Sequence, residues 1–96
     1  MITAKDAQTI AEEAQIVSRY ADFFSWAESK IVESAKQGMN GAYLENTNNP
    51  LSANKWIPLK DIIVIAQYLQ SLGYSRIDIE WWKTYGHTIQ YIGWKK

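Results

Sequence analysis

The residues of this chain that could do chemistry are few, and they lie far apart in the sequence. His87 is the sole histidine and cysteine is absent. The chain therefore has too few of the usual ligands for a zinc site, and it has no thiol nucleophile. His87 also follows Gly86 in a predicted turn, where a histidine normally faces solvent. We therefore expect no bound metal.

The carboxylates and hydroxyls form no catalytic pattern either. Glu12 and Glu13 lie on a helical face, and Asp78 and Glu80 project from one face of a predicted strand, which is an arrangement typical of solvated charges. The serines of the first helix have no neighbouring base, and no Gly-x-Ser-x-Gly sequence occurs that would hold an acyl-transfer nucleophile. We expect that the protein is not an enzyme and has no catalytic residue or cofactor.

Aromatic side chains are the most unusual feature of the composition. Five tryptophans and six tyrosines in 96 residues exceed what so small a core can hide. Trp56 follows an asparagine-rich segment. The indole ring of Trp56 and the side-chain amides of the asparagines could both contact a partner. The residues predicted to bind a partner are Asn48, Asn49, Asn54, Trp56, Trp82 and Tyr85. The alternative is that helices cover both faces of the predicted hairpin and the aromatic side chains are simply core.

The first helix, which must position part of this surface, is predicted over residues 1–38, from a cap at Thr3 to a stop at Gly38. Small and apolar residues recur in it with heptad spacing, as in a helix that packs along a second helix. A continuous helix of this length spans about 50 Å, whereas a compact domain of this size has a radius of gyration of roughly 13 Å. Part of the helix therefore needs a partner, or the helix breaks. The predicted self-association seam is Ala7, Ile10, Ala14, Val17, Ala21 and Phe24.

Residues 41–96 are predicted to form a small α/β body that completes a single domain over 1–96. A short strand at 42–45 precedes a surface loop over 46–55. A second helix runs from Pro58 to Gly73, and its predicted buried residues are Leu59, Ile62, Ile63, Ala66 and Leu69.

Two alternating segments about Gly86 then predict a C-terminal hairpin. Strict alternation in the last strand places Ile89 and Ile92 on opposite faces. The fold class is α+β with a long N-terminal helix and the order α-β-α-β-β. A right-handed crossover through the second helix would make the first strand parallel to the first strand of the hairpin.

Several segments resemble a pattern found in small accessory proteins of tailed phages. The resemblance lies in an Ile-Thr-Ala-Lys opening at residues 1–7, a first helix that ends at 35–38, a Leu-x-x-x-Gly-Tyr helix exit at 69–74 and an aromatic last strand at 89–94. It implies a role in host takeover or counter-defence and a location in the cytoplasm of the host cell. Most such proteins have no assigned activity, so the resemblance carries over no functional residue.

These observations favour a non-catalytic accessory protein of phage type that binds a host or phage protein, inhibits a host or defence protein, and forms homo-oligomers. One alternative is a nucleotide or nucleic-acid binding module that uses Trp56 and the asparagine-rich loop, although a formal net charge of zero gives little attraction to phosphates. A second alternative is a minor virion component. No run of about 18 apolar residues occurs, so a membrane is not an expected partner.

Overall fold

The chain folds into two layers, with helices packed on one face of a three-stranded sheet, in a computed structural model that describes residues 1–53 and 56–95. The elements in chain order are α1 (Ala4–Arg19), α2 (Ala21–Lys36), β1 (Gly41–Tyr43), α3 (Pro50–Ala53), α4 (Leu59–Ser71), β2 (Arg76–Trp82) and β3 (Gly86–Gly93). This order confirms the predicted α+β class and its C-terminal hairpin.

The predicted first helix is divided at Tyr20 into two helices of 16 residues each. Tyr20 has φ −112° and ψ 34°, which lies outside the helical region. The helical hydrogen bonds of α1 end at Tyr20, whose N–H donates to the Ile16 carbonyl at 2.9 Å, and those of α2 begin there, because the Phe24 N–H donates to the Tyr20 carbonyl at 3.2 Å. The helix therefore breaks, which is one of the two outcomes that its length predicted.

The break lets the two helices pack on different parts of the molecule. α1 packs against α4, whereas α2 packs against β1 and α3. The Tyr20 side chain anchors the junction, since its hydroxyl donates a 2.7 Å hydrogen bond to Oδ2 of the buried Asp61. The longest dimension of the molecule is 42 Å, which is less than the roughly 50 Å that a continuous helix needs.

One face of α4 is buried, and it differs in part from the predicted face. Its buried apolar residues are Ile62, Ile65, Ala66 and Leu69, which have the spacing of an amphipathic helix. The prediction was wrong for Ile63 and Leu59, whose side chains are 42% and 44% exposed. Ile63 lies about 100° from Ile62 around the helix axis, on the side of α4 that also carries the exposed Lys60 and Gln67.

The sheet has the strand order β1-β3-β2, and both outer strands run antiparallel to β3. β1 and β2 are therefore parallel to each other, as predicted, with β3 between them. Between Asp78 and Ile79 the pairing skips Gln90 of β3, which forms a bulge. The bulge brings both Ile89 and Ile92 into the core, so the prediction that they lie on opposite faces was wrong.

The core joins residues from the helices, the sheet and the loop before α4. Its fully buried large apolar residues are Phe23, Leu44, Leu51, Ile62, Ile65, Ile89 and Ile92. Leu51 belongs to the segment that was predicted to be a surface loop. The short helix α3 packs between α2 and β3 and inserts Leu51, so this part of the prediction was wrong.

Candidate functional site

Exposed tryptophans gather at the end of the β2–β3 hairpin. Trp81 and Trp82 end β2, and Trp56 lies beside the turn that joins β2 to β3. The exposed fractions are 59% for Trp56, 58% for Trp81 and 42% for Trp82. We call these three residues the tryptophan end. Their exposure excludes the alternative in which these side chains are core.

Backbone contacts hold Trp56 on the hairpin turn. Its N–H donates to the carbonyl of the half-buried Tyr85 at 3.1 Å. Gly86 gives Trp56 the space it needs, because a Cβ at Gly86 would lie 3.1 Å from Cα of Trp56. Trp82 is the Cα partner of Gly86 across the hairpin. The turn therefore brings together Trp56, Trp82 and Tyr85, which are three of the residues predicted to bind a partner.

The backbone of Trp56 adopts an unusual conformation. Its φ is 65°, a value that bulky residues rarely adopt. Such a residue costs on the order of 1–3 kcal/mol and persists only where the surrounding structure fixes it. The hydrogen bond to the Tyr85 carbonyl and the close approach to Gly86 support it here. The backbone of Trp56 is thus held on the turn before any partner arrives, which reduces the entropy lost on binding.

The predicted asparagines do not form one surface. Asn48 is exposed with φ 65°, a conformation that asparagine tolerates. Asn49 is buried, and its Oδ1 accepts from the Leu51 N–H at 3.0 Å while its Nδ2 donates to the Ile89 carbonyl at 3.5 Å. Asn49 therefore belongs to the fold rather than to a binding surface, because both ends of its amide are used internally. Asn54 lies outside the described residues.

Asn46 attaches the same loop to β3, a role that the sequence did not reveal. Its Oδ1 accepts hydrogen bonds from Gln90 Nε2 at 2.7 Å and from Ser52 Oγ at 3.0 Å. Gln90 is 44 residues away in the chain, so no local signal identifies the pair. Asn46 and Asn49 together hold the loop on the sheet.

The sheet face turned away from the helices carries a second aromatic group, which was also not predicted. Tyr43 on β1 and Tyr91 on β3 meet edge to face, with ring centroids 4.9 Å apart. The Cζ atom of Arg76 lies 5.0 Å from the Tyr91 ring centroid. Arg76 also donates two hydrogen bonds to Asp78, at 3.0 and 2.8 Å, and this contact raises the pKa of the arginine. We call these four residues the open face.

Two glycines let the Tyr91 ring lie against the sheet. A Cβ at Gly41 would overlap the Tyr91 hydroxyl, and a Cβ at Gly93 would lie 2.9 Å from its ring. Gly41 and Gly93 are Cα partners across β1 and β3. This pairing is the signal that could have located the open face, but it is visible only once the strand register is known.

The residues of the predicted self-association seam are separated by the break at Tyr20. The exposed members are Ala7, Ile10, Ala14 and Ala21. Val17 is half-buried, and Phe24 packs edge to face on Tyr68 of α4 with ring centroids 5.5 Å apart. The part of the seam left open to a second copy is therefore mainly the N-terminal half of α1.

A groove of about 390 Å³ between α1 and α4 contains Asp61, the most buried charged group among residues 1–53 and 56–95. Asp61 Oδ2 accepts hydrogen bonds from the Tyr20 hydroxyl at 2.7 Å and from Arg19 Nη1 at 3.1 Å. Burial, and then the Asp61 carboxylate, raise the pKa of Tyr20 to about 12. The hydroxyl is therefore protonated at neutral pH and acts as a donor. We interpret this cluster as the anchor of the helix junction.

The fold and site define a two-layer α+β domain with an open sheet face and a tryptophan end. No protein-family model matches the chain, and neither a curated protein nor a solved structure matches it. Within residues 1–53 and 56–95, no helix is long and apolar enough to cross a bilayer. No group of three or more histidine, aspartate or glutamate side chains suited to a metal ion occurs in the same part of the chain.

Proposed function

We propose that this protein is a non-catalytic module that binds another protein through the tryptophan end. The observation that carries the proposal is the exposure of three tryptophans at one end of the hairpin. Tryptophan is enriched among the residues that dominate interface energies. Trp81 and Trp82 are adjacent in β2 and therefore expose their side chains on the two sides of the hairpin end. The core does not use these side chains, so a partner is free to bury them.

Charge and hydrogen bonding favour a protein over a nucleic acid as the partner. The formal net charge is zero, whereas nucleic-acid affinity comes largely from phosphate neutralisation by lysine and arginine. On the open face, Arg76 is already paired with Asp78. The amides of Asn46 and Asn49, which would contact a base, bond to groups within the fold. The nucleotide alternative therefore retains the Trp56 ring and the exposed Asn48.

A module of this kind acts by occupying a surface of its partner. If the partner is a host or defence protein, as the phage-like sequence pattern implies, occupancy of its functional surface is inhibition. The exposed half of α1 offers a second, separate surface for a second copy of this chain. Homo-oligomerisation would then present several tryptophan ends and raise the apparent affinity.

The proposal is tested by recovering partners from cells that express the tagged protein and measuring the affinity of the purified pair. Trp56→Ala and Trp82→Ala should each weaken binding by more than about 1 kcal/mol, because each removes an exposed aromatic anchor. Trp26→Ala is the matched control, since it makes the same change at a half-buried tryptophan of α2. It should lower stability while the folded fraction keeps its affinity. Unchanged affinity in both hairpin variants would contradict the proposal.

A further inference from the structure

The outer edge of β2 has backbone groups that the fold leaves without a strand partner. β2 is an edge strand and pairs only with β3. In the described part of the chain, residues 77–81 form no backbone hydrogen bond outside that pairing. All seven residues of β2 are exposed or half-buried. Such an edge is a template for the addition of another strand.

We propose that this edge binds an extended segment of a partner protein in which basic and apolar residues alternate. The inference rests on the proposed function, because it states how the partner docks and which chemistry its docking segment has. An added strand gains affinity from main-chain hydrogen bonds and specificity from its alternate side chains. The tryptophan end lies at the C-terminal end of the same strand, so one segment would contact both features.

One side of β2 would contact the apolar residues of the added segment. That side carries Ile77, Ile79 and Trp81, since alternate residues of a strand share a face. Ile77 packs on the core, whereas Ile79 is 37% exposed and Trp81 is the exposed residue described above. Apolar residues of an added strand would bury the exposed area of these two side chains.

The other side of β2 would contact the basic residues of the added segment. Asp78 is paired with Arg76, whereas Glu80 forms no salt bridge within residues 1–53 and 56–95. A lysine or arginine opposite Glu80 would form a cross-strand pair of opposite charge, which stabilises a sheet. The segment would therefore place a basic residue opposite Glu80, between apolar residues that face Ile79 and Trp81.

A second copy of β2 is a poorer occupant of this edge. Antiparallel pairing of two complete β2 strands centres on Ile79 and places Asp78 of each copy opposite Glu80 of the other. Like charges directly opposite each other destabilise a sheet. The acidic residues that attract a basic segment thus also oppose pairing of this strand with itself.

The test uses the isotope-labelled chain of 96 residues and three short synthetic peptides with capped ends. One peptide alternates lysine with valine, one alternates glutamate with valine, and one has the composition of the first with all lysines grouped together. We expect the alternating lysine peptide alone to bind and to slow hydrogen exchange of amides in β2 but not in β1. Glu80→Lys should weaken this binding at least about fivefold, because attraction becomes repulsion. Glu33→Lys, the same change on an exposed residue of α2, should leave it unchanged.

Three results would overturn the inference: no binding of the alternating lysine peptide, equal binding of all three peptides, or binding that leaves exchange in β2 unchanged. Slower exchange in β2 on raising the protein concentration alone would also overturn it, because a second copy would then occupy the edge. The proposed function fails by a different result. If Trp56→Ala and Trp82→Ala weaken the partner complex while the peptides fail, only the edge inference is lost.

Discussion

The two strands of the hairpin have comparable apolar content but differ in how much of it is buried. β3 contributes Ile89 and Ile92 to the core, whereas every residue of β2 is exposed or half-buried, including two tryptophans. β3 is the central strand, with a strand on each side, while β2 forms the edge. β1 lies at the other edge but packs against α2, and its Gly41 and Ala42 are buried. The elements that pack on a strand, rather than its composition, therefore decide which apolar side chains stabilise the fold and which remain free to bind.

The largest expected effect separates the two strands directly. Ile89→Ala in β3 should lower the free energy of unfolding by about 2–5 kcal/mol, because the side chain is fully buried. Ile79→Ala in β2 should lower it by about 1 kcal/mol or less, since less apolar area leaves water on folding there. Urea unfolding of both variants measures the difference. Equal losses would show that β2 is as buried as β3.

α4 repeats the contrast within a single helix. Ile62→Ala should lower the free energy of unfolding by about 2–5 kcal/mol, whereas Ile63→Ala should change it by less than about 0.5 kcal/mol. Ile62 is fully buried, whereas the neighbouring Ile63 is 42% exposed and lies outside the core. Each variant is the matched control for the other in thermal or urea unfolding. A loss at Ile63 as large as that at Ile62 would place both side chains in the core.

The helix junction gives a smaller effect with a pH signature. Tyr20→Phe should lower the free energy of unfolding by about 1–3 kcal/mol, because the buried Asp61 loses a donor. The pKa of Tyr20 is raised from 10.0 to about 12, so the folded state holds this proton more tightly than the unfolded chain. The resulting stability is complete below about pH 10 and is lost as the pH rises toward 12.

Unfolding measured between neutral pH and pH 12 tests this assignment. Tyr20→Phe should remove the corresponding part of the alkaline loss. Tyr43→Phe, at a tyrosine that is 76% exposed, should not. Identical alkaline profiles for wild type and Tyr20→Phe would show that the Tyr20 proton does not contribute.

The smallest effect on stability is expected on α1. Ile10→Asp should change the free energy of unfolding by less than about 0.5 kcal/mol, because Ile10 is 57% exposed. It should nevertheless convert self-associated protein to monomer in sedimentation, whereas Ala11→Asp, an exposed position outside the seam, should not. A wild-type protein that is already monomeric at high micromolar concentration would remove the self-association hypothesis.

Much of the fold could be predicted because its element ends are local signals. Thr3 caps α1 through a hydrogen bond to the Asp6 N–H, and Gly38 and Gly73 adopt the positive φ that ends α2 and α4. The break at Tyr20 could not be predicted in the same way, because Tyr20 is anchored by Asp61, 41 residues away. Local sequence identifies where helices end, but not where tertiary contacts bend them.

The candidate site was predictable only in part, for the same reason. The composition indicates excess aromatic surface, and Trp56 and Trp82 do lie together on the exposed hairpin end. The burial of Asn49 depends on a bond to β3, and the open face depends on the pairing of Gly41 with Gly93. Residue type thus indicates a surface, whereas strand register decides which residues form it.

The central claim is that the tryptophan end is not needed for folding and is free for a partner. The thermal midpoint of the Trp56→Ala/Trp82→Ala double variant tests this claim most directly. We expect the midpoint to fall by less than about 5 °C, because neither side chain belongs to the hydrophobic core or packs against it. Core tryptophans would each contribute about 3–5 kcal/mol, and their loss would lower the midpoint by more than roughly 15 °C. A fall of that size would contradict the account.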